Sequence, residues 1–316
     1  MLPYTCSQAA AFLRERDDYL ILTHRRPDGD TVGCAAALCR GLRGLGKRAV
    51  IYPNPQFSPL FAPYLEGLVA ETLPEQACVI SVDIAAGSLL PYGAEDYVNQ
   101  IALRIDHHGK ETLGERAWVV PEAAACGELI LELLHELNAP MDKKTAEALY
   151  CAISTDTGCF RYSNVTANTL RAAAECKELG GDIFAVNQAM FMTKKLARLR
   201  LNAHLTEHLE LYKDGHVALN VLPDSLMEEL GLTEDDIQDI SGFAREIEGV
   251  DIAVMLRNAP EGTKLSVRCA PGHDASVICA RFGGGGHRGA AGANLCGDLM
   301  QAKALVLQTL REMELI

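Results

Sequence analysis

The chain has 316 residues, enough for two domains of ordinary size, each with its own hydrophobic core. Its formal net charge of -13 argues against a protein that wraps long nucleic acid, because such binding depends on basic surfaces that neutralise many phosphates. A phosphate-bearing ligand could still be held locally if divalent cations and a few arginines reversed the field in one pocket.

The eleven cysteines include no Cys-x-x-Cys pair, which favours buried thiols in a reducing compartment. The N-terminus has no basic stretch followed by an apolar core, and no window approaches about 18 consecutive apolar residues. We therefore expect a cytoplasmic protein with no membrane partner.

From residue 19 to about 185, short apolar runs alternate with longer segments of helical periodicity. The runs predict buried parallel strands at 19–23, 49–52, 79–82 and 101–105. The longer segments predict helices at 32–45, 127–137, 145–155 and 168–179. This alternation is typical of an α/β fold with an open, mainly parallel sheet and helices on both faces.

The segment 187–200, N-Q-A-M-F-M-T-K-K-L-A-R-L-R, is rich in lysine and arginine and predicts a helical connector. Strand-like runs at 216–221, 250–257 and 264–269, with a glycine cluster at 283–286, then predict a second, smaller α/β domain. We accordingly expect an N-terminal domain at 1–186, a helical linker at 187–204 and a C-terminal domain at 205–316.

Four motifs rich in acids and imidazoles follow predicted strands or helices. T-H-R-R-P-D-G-D-T-V-G leaves the first strand, S-V-D and I-D-H-H end two others, and S-T-D ends a helix. Alone, each is as readily a turn or a helix cap as a site. Because the carboxyl ends of parallel strands meet at one edge of a sheet, the motifs together gather six side chains there: His24, Asp28, Asp30, Asp83, His107 and Asp156.

Carboxylates crowded in this way repel one another unless cations neutralise them. Oxygen ligands with a minority of imidazole and no thiolate suit Mn²⁺, with Mg²⁺ as the alternative, whereas structural zinc sites prefer cysteine. Six ligands exceed the three that are common at one catalytic ion, and Asp83 can bridge. We therefore expect two ions roughly 3.5 to 4 Å apart, the arrangement that promotes in-line phosphoryl displacement.

A glycine-rich stretch, R-F-G-G-G-G-H-R-G-A-A-G at 281–292, predicts an anion site in the second domain. Its backbone N–H groups can approach an anion closely, and His287 and Arg288 add donors beside them. A glycine run also serves as a flexible hinge, but the small residues that follow favour close packing around a ligand. Arg268, at a strand end, is either a partner for phosphate or carboxylate or a solvated side chain.

Taken in order, H-R-R-P-D-G-D-T-V-G, S-V-D, I-D-H-H and S-T-D-T-G-C-F-R-Y resemble the four motifs of the DHH phosphoesterases. G-G-G-G-H-R-G-A-A-G resembles the signature of the DHH-associated C-terminal domain, so the resemblance covers about residues 5–315. The two-domain length and the connector F-x-T-K-x-L-A-R-L-R are similar to the nanoRNase (NrnA-like) type, which combines oligoribonuclease and pAp phosphatase activities.

The resemblance implies a role for each matching residue, with the active site in the cleft between the domains. His24, Asp28 and Asp83 would hold one Mn²⁺, and the other would be held by Asp30, Asp83, His107 and Asp156. His108 would contact the scissile phosphate, and Asp106 would orient a neighbouring histidine. The phosphate and nucleotide end of the substrate would be bound by Arg268, Gly283, Gly284, Gly285, Gly286 and His287.

The resemblance also implies the substrates: short single-stranded RNA or DNA oligonucleotides, cut to mononucleotides, and 3′-phosphoadenosine 5′-phosphate (pAp), but no long duplex. Arg25 and Arg26 follow His24 where the family varies, and we expect them to add positive charge at the mouth of the site.

Three other functions are compatible with part of this pattern. A phosphodiesterase for linear dinucleotides such as pApA or pGpG would carry the same motifs. A manganese pyrophosphatase shares the N-terminal motifs but uses a different basic signature in its second domain. A non-catalytic nucleotide-binding regulator would be expected to lack a ligand. The sequence leaves the oligomeric state open between a monomer and a homodimer.

Overall fold

The computed structural model describes residues 1–109, 113–237, 240–260 and 262–316. It divides into two compact units, Met1–Thr193 and Lys194–Ile316. The division falls within the segment 187–204 that the sequence predicts as a linker. None of the helices in the described residues is both long and apolar enough to cross a membrane.

The first unit is built on a parallel six-stranded sheet with the order β1-β6-β5-β4-β2-β3. Its strands are β1 (Leu2–Pro3), β2 (Tyr19–Leu22), β3 (Ala49–Ile51), β4 (Cys78–Val82), β5 (Ile101–Asp106) and β6 (Arg116–Val119). Its α-helices are α1 (Cys6–Arg14), α2 (Gly29–Gly44), α3 (Ala62–Leu65), α4 (Cys126–Leu137), α5 (Lys143–Asp156), α6 (Ala167–Glu178) and α7 (Ile183–Asn187).

Both faces of this sheet are buried, as expected for parallel strands made of continuous apolar runs. Alternate residues of β2 show this: Tyr19 and Ile21 belong to a core cluster with residues of α1, α2, α4 and α5, whereas Leu20 and Leu22 belong to a second cluster. The second cluster is closed mainly by the segment 84–99, which contains the 3₁₀ turns Gly87–Leu89 and Glu95–Asn99. Among the residues described, long α-helices therefore cover the first face, and short 3₁₀ turns and loop cover the second.

The helices α2 and α5 pack closely because glycine lies between them. A β-carbon on Gly33 would come within 2.9 Å of the Ala152 Cβ, and closer still to the Ala148 carbonyl oxygen. A β-carbon on Gly127, in α4, would come within 2.7 Å of the same Ala152 Cβ. This contact fixes the start of α2 beside the end of α5, where Asp156 lies.

The second unit is built on a mixed six-stranded sheet with the order β11-β12-β10-β9-β8-β7, in which only β8 and β9 pair in parallel among the strands described. Its strands are β7 (Glu210–Tyr212), β8 (Val217–Leu222), β9 (Ile252–Ala259), β10 (Gly262–Cys269), β11 (Gly285–Gly286) and β12 (Ala290–Leu295). Its helices are α8 (Leu196–Glu207), α9 (Asp224–Leu230), α10 (Ala275–Ala280) and α11 (Leu299–Glu312).

The predicted α/β class is confirmed, and each predicted strand and helix of the first domain lies within a few residues of an observed one. The pattern missed α1, α3, α7, β1 and β6. In the segment 187–204, a π-helical turn ends at Met192 and α8 begins at Leu196. The chain is therefore not one continuous helix there.

We predict that Gly33→Ala destabilises the protein by about 1 to 2 kcal/mol, because the added methyl group overpacks the contact between α2 and α5. In an open helix the same change would stabilise by about 0.5 to 1 kcal/mol. Urea unfolding measures the difference. Gly242→Ala is the control, because among the residues described no atom beyond its own stretch of chain lies within 4 Å of that β-carbon. A Gly33→Ala protein as stable as the wild type would contradict the packing argument.

Candidate metal centre

Three neighbouring strands of the first sheet end at the same edge and deliver polar side chains there. His24 follows β2 by two residues, Asp83 follows β4 directly, and Asp106 is the last residue of β5. Asp156 reaches the same place as the last residue of α5. The sheet order β5-β4-β2 makes these strands adjacent, so the side chains converge although they are far apart in the chain.

Asp83 lies at the middle of the cluster, and its two carboxylate oxygens face different imidazoles. Its Oδ2 is 3.7 Å from the His24 Nε2, and its Oδ1 is 3.4 Å from the His107 Nε2. The same Oδ1 is 3.4 Å from the His108 Nδ1. A carboxylate placed in this way has the geometry of a ligand shared between two ions.

Two groups of three side chains surround the two sides of Asp83. The first comprises His24, Asp28 and Asp83, with 3.4 Å between the His24 Nε2 and the Asp28 Oδ1. In the second, the His107 Nε2 is 3.3 Å from the Asp156 Oδ2 and 3.8 Å from the Asp30 Oδ2. In each group one potential ligand atom per residue lies within 4.8 Å of the others. The structure thus brings together all six side chains that the sequence singled out.

Two atoms at the centre of this cluster are buried without a hydrogen-bond partner among the residues described: the Asp83 Oδ1 and the His107 Nε2. A buried polar atom without a partner costs free energy, so such atoms are rare unless something satisfies them. Carboxylate oxygens and neutral imidazole nitrogens are donors that Mn²⁺ and Mg²⁺ accept. The residues therefore fit a divalent-cation site.

Both imidazoles are fixed by their second ring nitrogen. The Nδ1 of His24 lies 2.8 Å from the Arg25 carbonyl oxygen, and the Nδ1 of His107 lies 3.1 Å from the Ala123 carbonyl oxygen. A carbonyl can only accept, so in each neutral ring the Nδ1 carries the proton and the Nε2 keeps the lone pair. Both Nε2 atoms face the carboxylates, as cation ligands must.

Asp30 also organises the helices around the cluster. Its fully buried carboxylate accepts hydrogen bonds from the backbone N–H groups of Cys126 (2.7 Å) and Gly127 (2.9 Å), the first two residues of α4. The residue at the usual capping position, Ala125, has no side chain that could do this. Asp30 therefore caps a helix to which it does not belong, and the positive end of that helix favours its charge.

Asp106 is held ionised and in place by a buried arginine. Its Oδ1 accepts the backbone N–H and the Nδ1 proton of His108, both at 2.9 Å, and its Oδ2 accepts hydrogen bonds from Arg104. Arg104, only 1% exposed, also donates to the His108 carbonyl oxygen at 2.7 Å. The neighbour that Asp106 contacts is thus His108, and Arg104 holds both ends of this turn.

The glycine-rich stretch and Arg268 lie on three adjacent strands of the second unit. Arg268 of β10 pairs with Ala290 of β12, and Gly285 and Gly286 of β11 pair with the other edge of β12. Gly286 has a φ of 149°, and a β-carbon there would come within 2.6 Å of the Ala290 carbonyl oxygen. His287 and Arg288 are exposed in the turn that follows. Only glycine allows this approach of the two backbones.

Comparison with known proteins agrees with this organisation. The model of the DHH family, N-terminal domain, matches residues 18–153, and that of the DHHA1 domain matches residues 215–312. The bifunctional oligoribonuclease and PAP phosphatase NrnA of Thermus thermophilus is 33% identical over 92% of this chain and 89% of its own length. The chain belongs to the DHH family.

Two further relatives extend the match. The bifunctional oligoribonuclease and PAP phosphatase NrnA of Bacillus subtilis is 28% identical over 88% of this chain and 90% of its own length. An exopolyphosphatase-related protein from Bacteroides fragilis has a TM-score of 0.85 at 22% identity, covering 97% of this chain and 96% of that one. The second likeness concerns the fold alone.

Arg104 was not predicted as a site residue from the sequence, although it lies in β5, the strand that leads into the I-D-H-H motif. The only signal was a charged residue inside the apolar run I-A-L-R-I. Such a residue in a buried strand needs a partner, and two residues later the chain supplies Asp106 on the same face. The role of Asp30 as a helix cap left no sequence signal, because α4 begins far along the chain.

Crowding shifts the pKa values of the cluster in the direction expected of a site built for cations. Burial and the charges of Asp83 and Asp28 raise the pKa of Asp156 to about 7. Burial, with Asp83 and Asp156, raises the pKa of Asp30 well above its usual range. Burial alone would lower the pKa of His24, but the hydrogen bond and charge of Asp28 outweigh it and raise the pKa to about 9.

We predict that Mn²⁺ binding releases protons at neutral pH. Without the ion, Asp156 is about half protonated near pH 7 and His24 is protonated, and both must lose that proton to act as ligands. Affinity should therefore rise as the pH is raised from about 6 to about 9. Isothermal titration calorimetry in two buffers of different ionisation enthalpy counts the protons. The same heat in both buffers and a pH-independent affinity would contradict this assignment.

Proposed function

We propose that this protein is a metal-dependent phosphoesterase that hydrolyses short oligoribonucleotides to mononucleotides and removes the 3′-phosphate of pAp. The Thermus and Bacillus relatives, both named as enzymes with these two activities, support the proposal because the similarity runs through both domains. The observation that carries it is the cluster of four carboxylates and two imidazoles around two unsatisfied buried atoms.

We propose Mn²⁺ as the cation, in two positions that share Asp83. His24, Asp28 and Asp83 would hold one ion, and the other would be held by Asp30, Asp83, His107 and Asp156. The thiols nearby argue against zinc, because Cys126 stays protonated: burial raises its pKa to about 12. Its neighbour Cys34 donates an S–H hydrogen bond to Asp30, so this thiol also keeps its proton.

Bound divalent cations supply the positive charge that stabilises a phosphorane-like transition state and make water a better nucleophile at neutral pH. The chain's own contribution is to hold a second cationic donor beside them. The hydrogen bond to Asp106, with the Asp83 carboxylate 3.4 Å away, raises the pKa of His108 to about 10, so its ring is protonated near pH 7. Because Nδ1 donates to Asp106, Nε2–H is the donor for a phosphate oxygen, on a ring 42% exposed.

Arg104 fixes the orientation of the His108 donor. It binds Asp106 on one side and the His108 carbonyl on the other, so both the ring and the backbone of His108 are held before substrate arrives. A preorganised donor stabilises developing charge without the cost of rearranging at the moment of reaction. We therefore assign His108 to the scissile phosphate and Asp106 and Arg104 to its positioning.

In the second unit, we propose that Arg268, the glycines 283–286 and His287 bind the phosphate and nucleotide end of the substrate. The guanidinium suits a phosphate, and the backbone conformation at Gly286 lets N–H groups approach an anion. A protein with a net charge of -13 lacks the extended basic surface that long nucleic acid requires. We therefore expect substrates of about two to five nucleotides, since single-strand sites grip only a short stretch of backbone.

The test is a product time course on a 5′-labelled pentaribonucleotide, run beside pAp, with Mn²⁺ and then with excess chelator. We expect a ladder of shortened products ending in mononucleotides, AMP from pAp, and loss of both activities with chelator. Linear pApA and pGpG in parallel reactions decide between the proposal and a dinucleotide-specific phosphodiesterase. Turnover of pApA or pGpG alone, with none of the pentamer or pAp, would replace the proposal with that alternative.

In the same assay, we predict that Asp83→Asn lowers kcat by at least about a thousandfold, because the shared ligand loses its charge. Asn is the substitution of choice, since Asp83 has a φ of 56° that Asn tolerates and Ala does not. Arg268→Ala is the comparison: it should raise KM by about tenfold and change kcat little. Full Mn²⁺-dependent turnover by Asp83→Asn would contradict the shared-ligand arrangement.

A further inference from the structure

An exposed aromatic ring contacts the loop that carries the candidate ligand His24. Tyr92 is 49% exposed, and its ring lies under the guanidinium of Arg25, whose Cζ is 4.0 Å from the ring centroid. Arg25 directly follows the candidate ligand His24, and its carbonyl oxygen fixes the His24 ring at 2.8 Å. The pair is therefore attached to the edge of the site.

The chain holds this pair in place from both sides. The Arg25 backbone N–H donates to the Leu89 carbonyl oxygen, and its Nε donates to the Leu90 carbonyl oxygen at 3.2 Å. A terminal nitrogen of Arg25 lies 3.8 Å from a Glu95 carboxylate oxygen. One arginine thus ties the loop after β2 to the segment that carries Tyr92.

Tyr92 and Gly93 are exposed, but the residues on either side of them are buried. Leu90 is 1% exposed and Ala94 is fully buried, both in the core cluster on that face of the sheet. Pro91 is buried as well and restricts the backbone just before the ring. The ring is therefore presented to solvent from a fixed backbone, which lowers the entropy cost of binding a flat ligand to it.

A ring of this kind is what single-stranded nucleic acid recognition uses. Bases stack on exposed aromatic side chains in a sequence-tolerant way, and an arginine on the ring adds a cation–π contact and positive charge toward phosphate. Glu95 offsets part of that charge, which favours stacking as the main contribution of the pair. Arg26, exposed and next in the chain, adds a further cation.

We propose that Tyr92, backed by Arg25, is a stacking platform for one nucleobase of the substrate, next to the scissile phosphate. The inference rests on the proposed function, since it assigns a base subsite to the same centre. It predicts that binding depends on the presence of a base at one position of a dinucleotide and tolerates any of the four bases there.

The test compares wild type, Tyr92→Ala and Tyr92→Phe on an intact diribonucleotide and on two analogues, each with an abasic ribose at one position. On the intact substrate, Tyr92→Ala should raise KM by about tenfold with kcat within about twofold, and Tyr92→Phe should resemble the wild type. For the wild type, removing the base at one of the two positions should also raise KM by about tenfold. For Tyr92→Ala, removing the same base should raise KM no further.

Phe184→Ala is the matched control, because Phe184 is an aromatic residue 64% exposed on α7 of the same unit. It should leave KM unchanged for all three substrates. Two results would overturn the stacking platform while leaving the proposed function intact. One is a rise in KM that is the same for both abasic analogues and the same in wild type and Tyr92→Ala. The other is an unchanged KM of Tyr92→Ala on the intact substrate. A wild-type protein that hydrolyses none of the substrates would instead overturn the proposed function.

Discussion

Four carboxylates gathered at one end of a parallel sheet are the constraint on which the first unit depends. Burial and the charges of neighbouring carboxylates raise the pKa of Asp30 and Asp156, so keeping these groups together lowers the stability of the folded chain. The same groups also stabilise the fold, because Asp28 caps α2 and Asp30 caps α4, a helix to which it does not belong. The groups that repel one another therefore also hold the layer of helices over the sheet.

The centre of the cluster shows what relieves this repulsion. Asp83 turns one oxygen toward each imidazole, and its Oδ1 and the facing His107 Nε2 have no other partner in the part of the chain that the structure describes. A divalent cation would satisfy both atoms and neutralise the neighbouring charges. Beside it, the hydrogen bond from His108 and the charge of Arg104 lower the pKa of Asp106, and the ionised Asp106 in turn raises the pKa of His108. The carboxylates that repel one another and the charged side chains that stabilise them thus lie in contact at one site.

The sequence predicts the scaffold well where burial leaves a local pattern. The apolar runs of β2, β4 and β5 and the long helical segments of α2 and α5 can be recognised because both faces of each strand and most residues of each helix are buried. The two-residue strand β1 has too few residues for any pattern. The short 3₁₀ turns on the second face are likewise hidden, since their order comes from packing and not from periodicity.

The candidate site was predictable to the level of residue type and strand end, because parallel strands deliver their carboxyl ends to one edge. The individual side-chain contacts could not be predicted from the sequence. In the sequence, Arg104 is an isolated charge in an apolar run, and only the structure shows its hydrogen bond to Asp106. The contact of Arg25 with Tyr92 joins two loops that are far apart in the chain. These are the contacts that decide which ring nitrogen faces a ligand and which aromatic ring faces solvent.

Anomalous diffraction at the manganese edge, from crystals grown with Mn²⁺, shows whether these residues hold two cations. We expect two peaks on either side of Asp83, one beside His24 and Asp28 and the other among Asp30, His107 and Asp156. No peak within this cluster, or a peak bound only by residues outside it, would contradict the shared metal centre.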